Sequence, residues 1–450
     1  MNVRRSAPIR AVTKARRRLN LGLRIAQERK TAQFPPPSFG RQNVQLIEPR
    51  FRGLFLSVFA LFTLFGTSMT VIGATLPKIL ANFHWDYLTA GIVLGAGAVA
   101  YFVSTFVAGY LVKHWGSKPT ILLALTLIVA GLAFFATTPD PLANTLLSAL
   151  IGLGQGGVEV GLNSTILRMD ERNTGRPMNI LHGAFAVGAI VGPLAVSLLM
   201  QSGLDWAVVY RGMAVIFVLL AVLMAFAGLP SVQQNAAEHD ETRERLSANP
   251  AYWLSFFALY LYLGVELGVS NWVAEYFVVV FAYAPEASPM LVSLFWMGVL
   301  VGRFGVPLLY KRSRPEATLV GLSALATASI ALLMLLGYLP VTAITADVGR
   351  GLLFLAGLGC SIYYPTVMTL VGECFPFAQS QVVGFAATGG GIGSFVFPFL
   401  MSSIAQTWGI RAGFATYGVF AAAMTFVAVW LAVIVNQGER ARALSVSSLR

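Results

Sequence analysis

Long apolar segments separated by short polar connections fill the chain from residue 53 to residue 435. A helix needs about 20 apolar residues to cross a hydrocarbon layer of about 30 Å, and each of these segments is long enough to do so. The pattern predicts an all-α integral membrane protein with twelve transmembrane helices. We expect them at residues 53–76, 88–112, 119–137, 144–168, 179–202, 208–229, 251–278, 290–310, 317–337, 343–368, 380–404 and 412–435.

Composition agrees with this prediction and limits the meaning of the net charge of +12. Hydrophobic residues make up 56% of the chain and charged residues 11%, whereas soluble domains carry about 25% charged residues. Residues 1–52 contain 13 Lys/Arg and two acidic residues, while residues 53–450 contain 18 and 17. The excess of positive charge belongs to the N-terminal stretch, so it predicts no nucleic-acid binding by the body of the protein.

Polar stretches divide the chain into five parts. Residues 1–50 are basic and end in a proline cluster, so three interpretations are open: a disordered tail, an organellar transit peptide or a start placed too far upstream. The stretch lacks the apolar core of a secretory signal peptide, and a disordered tail or a misplaced start is favoured over a transit peptide. The polar connection 230–250 is bounded by prolines and predicts a linker between a half at 53–229 and a half at 251–435, followed by a tail at 436–450.

An internal repeat relates the two halves. A shift of 205 residues aligns helix-packing residues of the fourth and fifth segments with those of the tenth and eleventh, without gaps. Two pseudo-symmetric six-helix halves joined by a central linker are typical of secondary transporters. The aligned pairs are Gly152 with Gly357, Gly154 with Gly359, Gly188 with Gly393, Pro193 with Pro398 and Ser197 with Ser402.

Lysine and arginine in the short connections predict the orientation. They concentrate on the side of both chain ends, whereas the opposite connections carry Asp140, Asp205 or Glu286 and little positive charge. Positive loops remain in the cytoplasm, so both termini are expected there, in a plasma or inner membrane. The residues on this side are Lys113, Lys118, Arg168, Arg172, Arg176, Arg243, Arg245, Lys311, Arg312, Arg314, Arg440 and Arg442.

The connection between the second and third segments contains Gly109, Lys113, Gly116, Lys118 and Pro119. In these glycines and in Lys118 the chain resembles the signature of the major facilitator superfamily, which has an acid at the position of Lys113. The resemblance covers residues 53–435. It implies a substrate site at the membrane midplane between the halves, and alternating access by rocking of one half against the other.

Within that superfamily the chain is similar to the fucose–proton and glucose-type symporter branch. Glu159 and Asn163, four residues apart in the fourth segment, match the acid-then-asparagine pattern of that branch, and the fifth and seventh segments resemble it too. The resemblance implies proton-coupled sugar transport, although no acid occurs in segments one to three, where such carriers have a second one. The other matching residues are Met178, His182, Gly183, Gly188, Gly192, Pro193, Leu263, Gly264, Glu266 and Trp272.

Glu159 is the main candidate for chemistry. Gln155, Glu159 and Asn163 share one helix face at a spacing of four, so the two amides are candidate substrate ligands beside the carboxylate. A carboxylate in hydrocarbon costs several kcal/mol and is expected to face a cavity or a partner, which makes Glu159 a candidate proton-coupling residue. The alternative is a structural ion pair of Glu159 with Arg303 or Arg350.

Glu266 is a second candidate, in the middle of the seventh segment. Tyr262, Glu266 and Ser270 share one helix face at a spacing of four and could hydrogen-bond a polyol, while Trp272 or Trp296 stacks on the apolar face of a sugar. Asn271 is a further candidate substrate ligand. The alternatives are interhelical hydrogen bonds without a ligand, and tryptophans that face lipid or the protein core.

Other charged residues are candidates for gating or ion pairing. Asp347 and Arg350 are three residues apart, so an ion pair within one helix is favoured. For His182, near the start of the fifth segment, a hydrogen bond to a neighbouring helix end is favoured. These candidates are His182, Arg303, Asp347, Arg350 and Lys118.

No catalytic triad, Cys/His metal spacing or nucleotide-binding signature occurs in the sequence, and its two cysteines indicate no disulfide framework. We therefore expect that the protein is not an enzyme and binds no cofactor or metal. Its energy coupling is expected to use an ion gradient. The favoured function is alternating-access transport of a small polar solute, a sugar, together with protons, by a monomer in the lipid bilayer. An exporter of amphipathic compounds and a non-transporting sensor or scaffold of the same fold are the alternatives.

Overall fold

The computed structural model describes residues 51–170, 176–229, 246–309, 314–375 and 378–447. The predicted N-terminal tail and residues 230–245 of the predicted linker lie outside the described residues, and so do Arg172, Arg243, Arg245, Lys311 and Arg312. The described residues form thirteen α-helices and one short 3-10 turn, Leu246–Ala248. The helices are α1 Arg52–Phe83, α2 Tyr87–Trp115, α3 Ser117–Phe134, α4 Pro141–Met169, α5 Arg176–Gln201, α6 Val208–Phe226, α7 Pro250–Val280, α8 Pro289–Leu309, α9 Pro315–Leu336, α10 Ala343–Cys360, α11 Tyr363–Cys374, α12 Gln379–Trp408 and α13 Ile410–Ser447.

Twelve stretches of the described chain are long and apolar enough to cross a membrane, which confirms the predicted number of transmembrane segments. α10 and α11 form one interrupted crossing, Ala343–Cys374. α1 extends past the predicted end at residue 76, because nothing stops it before His84, whose left-handed φ of 54° ends the helix. α13 continues as helix to Ser447 through the stretch predicted as a tail.

The interruption between α10 and α11 follows from Pro365, in the first turn of α11. Proline has no amide hydrogen, and its ring disfavours a helical carbonyl four residues earlier, which here is the carbonyl of Ser361. That carbonyl instead accepts a hydrogen bond from Nε of Arg303 on α8, at 3.1 Å. The sequence pattern alone predicted one continuous helix in this place.

The helix connections alternate between two faces of the bundle. We call the face where α1 begins and α13 ends the terminal face, and the face of the α1–α2 and α7–α8 connections the distal face. Helices α1–α6 form one half and α7–α13 the other, each with its own large apolar core. The halves meet where α1 contacts α7, α2 contacts α12 and α5 contacts α8.

The predicted repeat corresponds to the same close helix packing in both halves. A Cβ on Gly152 of α4 would lie 2.1 Å from the carbonyl oxygen of Gly97 on α2, and a Cβ on Gly357 of α10 would lie 2.0 Å from that of Phe295 on α8. Gly188 and Gly393 likewise pack against backbone carbonyls of α1 and α7. Only glycine permits these close approaches, so the sequence repeat reflects the same backbone geometry of helix contacts in both halves.

Polar contacts join the halves near the distal face. Lys78 of α1 forms a salt bridge with Glu286 in the α7–α8 connection, and Ser197 Oγ of α5 donates to the carbonyl oxygen of Glu286 at 3.1 Å. The amides of Tyr87 and Leu88, at the start of α2, donate to Gln406 Oε1 of α12 at 3.0 and 3.4 Å. Among the described residues, the hydrogen bonds between the halves lie at or toward this face, so the structure is closed there.

Candidate functional site

A small cavity of about 60 Å³ lies between the two halves, where side chains of α1, α2, α4, α7 and α12 converge. None of the described charged side chains lines this cavity, and nearly half of the lining residues can donate or accept hydrogen bonds. A wall of neutral hydroxyls and amides with apolar residues between them is suited to an uncharged polar ligand. The polar lining residues are Ser68, Tyr101, Ser148, Gln155, Asn271 and Ser394.

Two of the predicted substrate ligands reach this cavity, one from each half. Gln155 of α4 is buried, and its Nε2 donates to Ser68 Oγ of α1 at 3.0 Å. Asn271 of α7 lies against Gly73 of α1, and its side chain has no hydrogen-bond partner within the described ranges. The structure therefore brings together Gln155 and Asn271, which the sequence placed more than a hundred residues apart.

Glu159 lies one helical turn beyond Gln155 on α4. Its Oε2 accepts a hydrogen bond from Tyr101 Oη of α2, and the tyrosine ring is part of the cavity wall. None of the described lysines or arginines forms an ion pair with Glu159, since Arg303 is paired with Glu266 and Arg350 with Asp347. The alternative of an ion pair with Arg303 or Arg350 is therefore not realised in this conformation, and the carboxyl's partner is a neutral hydroxyl.

Asn163 continues this face of α4 toward the terminal face. Its Oδ1 is buried and has no hydrogen-bond partner among the described residues. An unpaired amide oxygen costs free energy unless a ligand or water satisfies it, which fits the predicted role as a ligand. Asn163 does not line the 60 Å³ cavity in this conformation.

Glu266 lies in a separate polar cluster inside the second half. Its Oε1 accepts a hydrogen bond from Tyr262 Oη at 2.6 Å and lies 3.8 Å from Nη2 of Arg303. Arg303 in turn binds the carbonyl freed at Ser361. The carboxylate thus has both a cation and a hydroxyl partner, and neither Tyr262 nor Glu266 lines the cavity.

The two candidate tryptophans are buried in helix packing. Trp296 Nε1 donates to Ser270 Oγ at 2.9 Å and its ring packs edge-on against Phe185 of α5. Trp272 is fully buried against the ring of Tyr87 of α2, and its Nε1 has no partner in the described part of the chain. Neither ring faces the cavity, so the expected sugar-stacking surface is not formed in this conformation.

The remaining candidates occupy helix ends and surfaces. Asp347 and Arg350 form the expected intrahelical ion pair on α10, and Lys118 Nζ donates to the carbonyl oxygen of Ala227 just beyond α6, at 2.9 Å. His182 of α5 is exposed and packs edge-on against Phe62. Within the described ranges no group of three or more potential metal ligands occurs.

Sequence reasoning missed the hydroxyl partners of the buried acids. Tyr101 lies in the middle of the largely apolar stretch 88–112, and a polar aromatic residue in mid-helix was the available signal. It also missed a third buried acid, Glu275, which accepts a hydrogen bond from Tyr87 Oη at 3.2 Å. Glu275 lies inside the predicted seventh segment, so the cost of a buried carboxyl pointed to it as well.

Comparison with known proteins places this arrangement in a family. The sequence matches the Major Facilitator Superfamily model over residues 58–353 and 350–447. It is similar to Bypass of stop codon protein 6 of Saccharomyces cerevisiae, at 26% identity over 402 residues covering 78% of this chain and 76% of that protein. It is also similar to the glucose/mannose transporter GlcP of Bacillus subtilis, at 23% identity over 379 residues covering 80% and 91%.

Solved structures share the fold at lower sequence identity. A variant of the nucleoside transporter NupG superposes with a TM-score of 0.70 at 16% identity, covering 84% of this chain and 98% of that one. A D-xylose-proton symporter superposes with a TM-score of 0.68 at 13% identity, covering 84% and 96%. At these identities the likeness concerns the fold.

Proposed function

The chain belongs to the Major Facilitator Superfamily, whose members are transporters and not enzymes, and on that premise we propose that it moves a small uncharged polar solute, a sugar, together with protons. Glu159 is the proton-coupling residue in this proposal. The solute occupies the cavity between the halves, and the two halves rock to expose it to one face and then to the other.

The cavity lining supports an uncharged, hydroxyl-rich solute. Its polar side chains are hydroxyls and amides from both halves, which match the hydrogen-bonding groups of a sugar, and no lining side chain would attract an organic anion or a cationic drug. GlcP, the similar protein of Bacillus subtilis, is named a glucose/mannose transporter. In this proposal the cavity enlarges as the terminal face opens to admit a hexose.

The observation that carries the proton-coupling proposal is the pairing of Glu159 with Tyr101. Tyr101 connects this carboxyl to the cavity wall, and no described cation neutralises it. Its charge therefore depends on whether water or solute fills the cavity, because a charged carboxylate is expensive in a dry, apolar site. Protonated Glu159 lets the loaded protein reorient, and deprotonation toward the terminal face accompanies release.

The lysines and arginines near the terminal face support a cytoplasmic location for that face in a plasma or inner membrane. Lys113, Lys118 and Arg168 lie there among the described residues, whereas Asp140 and Glu286 lie near the distal face. Solute and protons then enter from the distal side, and the structure corresponds to the state closed toward that side.

Reconstitution in proteoliposomes tests the role of Glu159. We expect Glu159→Gln to exchange labelled hexose across the membrane at a rate within a few-fold of the parent protein, because exchange needs no change in protonation. The same variant is expected to lose uphill accumulation driven by an imposed pH gradient, since the carboxamide binds no proton.

Glu373→Gln is the matched control, because Glu373 is an exposed glutamate at the end of α11 and is expected to leave accumulation unchanged. Accumulation of solute by Glu159→Gln at the parent level would refute the coupling role. Absence of exchange for every hexose and pentose by the parent protein would refute the sugar proposal.

A further inference from the structure

A second carboxyl without a cation lies where the two halves meet near the distal face. Glu275 of α7 is 6% exposed, and its Oε1 accepts a hydrogen bond from Tyr87 Oη of α2 at 3.2 Å. The two residues belong to opposite halves, whereas Tyr101 and Glu159 belong to the same half. The Tyr87–Glu275 bond must therefore break when the halves separate at the distal face, and the Tyr101–Glu159 bond need not.

The charged groups on the helices around α7 are engaged elsewhere. Lys78 of α1 binds Glu286, and Arg411 of α13 donates from Nε to the carbonyl oxygen of Gly337. The described part of α12 carries no charged residue. Near the start of α2, Asp86 accepts a hydrogen bond from the amide of Thr89. Arg303 of α8 is paired with Glu266, and Asp347 and Arg350 of α10 are paired with each other. The other acidic, basic and histidine residues of these helices belong to the ends at the terminal face: Arg52 of α1, Lys113 and His114 of α2, Glu373 of α11, and Glu439, Arg440 and Arg442 of α13.

Glu275 is also separated from the central cavity. One turn closer to the terminal face, α1 and α7 cross so tightly that a Cβ on Gly73 would lie 2.6 Å from Cα of Asn271. Asn271 lines the cavity and Glu275 does not. Water therefore reaches this carboxyl from the distal side, when the distal contacts open.

We propose that Glu275 is a proton-binding site that fills from the distal side as the halves close over it. A charged carboxylate buried without a cation costs several kcal/mol, so the closed state holds the proton and the hydrated, open state releases it. The proton returns to the side from which it came, so it is not transported. The site instead makes distal closure depend on the pH of the distal compartment.

Linkage gives the sign and the size of the effect. Because the closed state binds one more proton than the open state, acid favours closure and a rise in pH favours opening. A single linked proton changes the ratio of open to closed protein by at most tenfold per pH unit. The inference rests on the alternating-access motion proposed above, but not on the coupling role of Glu159.

Spin labels on the two halves test this proposal. Leu204 and Leu339 are exposed in distal connections of opposite halves, so labelled Leu204→Cys and Leu339→Cys report their separation, with Cys360 and Cys374 replaced by alanine. Electron paramagnetic resonance between pH 5.5 and 8.5 is expected to show the open fraction rising at least threefold with pH. Glu159→Gln should retain this response, and Glu275→Gln should abolish it.

A response that persists in Glu275→Gln, or is absent in the parent protein, overturns the proposal. Loss of the response in Glu159→Gln alone overturns it too, and assigns the effect to the coupling site. Accumulation assays on Glu159→Gln decide the coupling role separately, so the two proposals can fail independently.

Tyr87→Phe provides a second test if Glu275→Gln does not fold. It keeps the ring against Trp272 and removes the hydroxyl donor, so the open fraction should rise about tenfold at every pH while the response to pH persists. Tyr260→Phe is the matched control, because Tyr260 lies on α7, the helix of Glu275, but closer to the terminal face. An unchanged open fraction in Tyr87→Phe contradicts the proposed contact.

Discussion

Glu159 in the first half and Glu266 in the second are both carboxyls within the membrane that accept a hydrogen bond from a tyrosine hydroxyl. They differ in one respect, since Glu266 also faces Arg303 and Glu159 faces no described cation. The first half therefore has a carboxyl without a described counter-charge, and the second half has one whose charge is balanced by Arg303 in this conformation. In the proposed function, the uncompensated carboxyl of the first half binds the transported proton, while the paired carboxyl of the second half has a structural role.

The largest expected effect of this difference is on stability. Glu266→Gln leaves the Arg303 guanidinium without its anion in a site where its side chain is 27% exposed, which should cost about 3 kcal/mol of unfolding free energy. Glu159→Gln leaves no orphaned charge and should change stability by less than about 1 kcal/mol. Denaturant-induced unfolding in detergent, followed by tryptophan fluorescence, measures both.

The double variant Glu266→Gln/Arg303→Met serves as the control, because it removes both charges and should recover most of the lost stability. Equal destabilisation by the two single glutamine variants would break the comparison and would indicate that Glu159 also has a cationic partner.

A smaller and symmetric effect is expected at the repeat glycines. Gly152→Ala and Gly357→Ala each insert a methyl group about 2 Å from a backbone carbonyl oxygen of the neighbouring helix, and each should cost about 1–3 kcal/mol. The two losses should agree within about 1 kcal/mol, because both halves use the same approach. The same unfolding assay measures them.

Gly109→Ala and Gly384→Ala are the matched controls in the two halves, since a Cβ at either position meets nothing within 4 Å. They should leave stability unchanged or raise it slightly through helix propensity. A large loss at Gly152 with none at Gly357 would contradict the shared geometry.

The smallest expected effect concerns Lys78 and Glu286 at the distal face. The hydrogen bond from Lys78 holds the pKa of Glu286 below its ordinary value of 4.5, so this pair stabilises closure above that pH and is lost as the pH falls through the lowered pKa. The Glu286 side chain is 41% exposed, so the contribution is below about 1 kcal/mol.

The spin-label pair measures this contribution between pH 6 and 3.5. The open fraction of the parent protein should rise below about pH 4.5, opposite in sign to the response assigned to Glu275, and Lys78→Gln should remove that rise. An identical acid response in Lys78→Gln would show that the salt bridge does not contribute to closure.

Most of the fold could be predicted from the sequence because it follows from apolar segment length and glycine spacing. The interruption at Ser361 could not, since one proline near the end of an apolar run is compatible with a kinked or a broken helix. For the site, spacing on α4 placed Gln155 and Glu159 on one face, but their partners Ser68 and Tyr101 come from other helices. Periodicity along one helix does not determine which neighbour supplies a hydroxyl.

A second limit of sequence comparison is visible at a helix contact where the serine and the glycine occupy opposite helices in the two halves. In the first half, Ser104 of α2 packs on Gly156 of α4, whereas in the second half Gly302 of α8 packs on Ser361 beside α10. Each hydroxyl donates to a carbonyl oxygen at the same repeat position, that of Leu153 or Leu358. A linear alignment shows two mismatches, although the contact itself is preserved.

The contact of Gln406 with the start of α2 has a consequence for timing. The first amides of a helix have no partner within it, and here those of Tyr87 and Leu88 are satisfied by a side chain of the opposite half. In the proposed alternating-access cycle, each opening of the distal face returns both amides to solvent, where they exchange their hydrogens for deuterium. The exchange rate of these two amides therefore counts opening events in the unlabelled, unmodified protein.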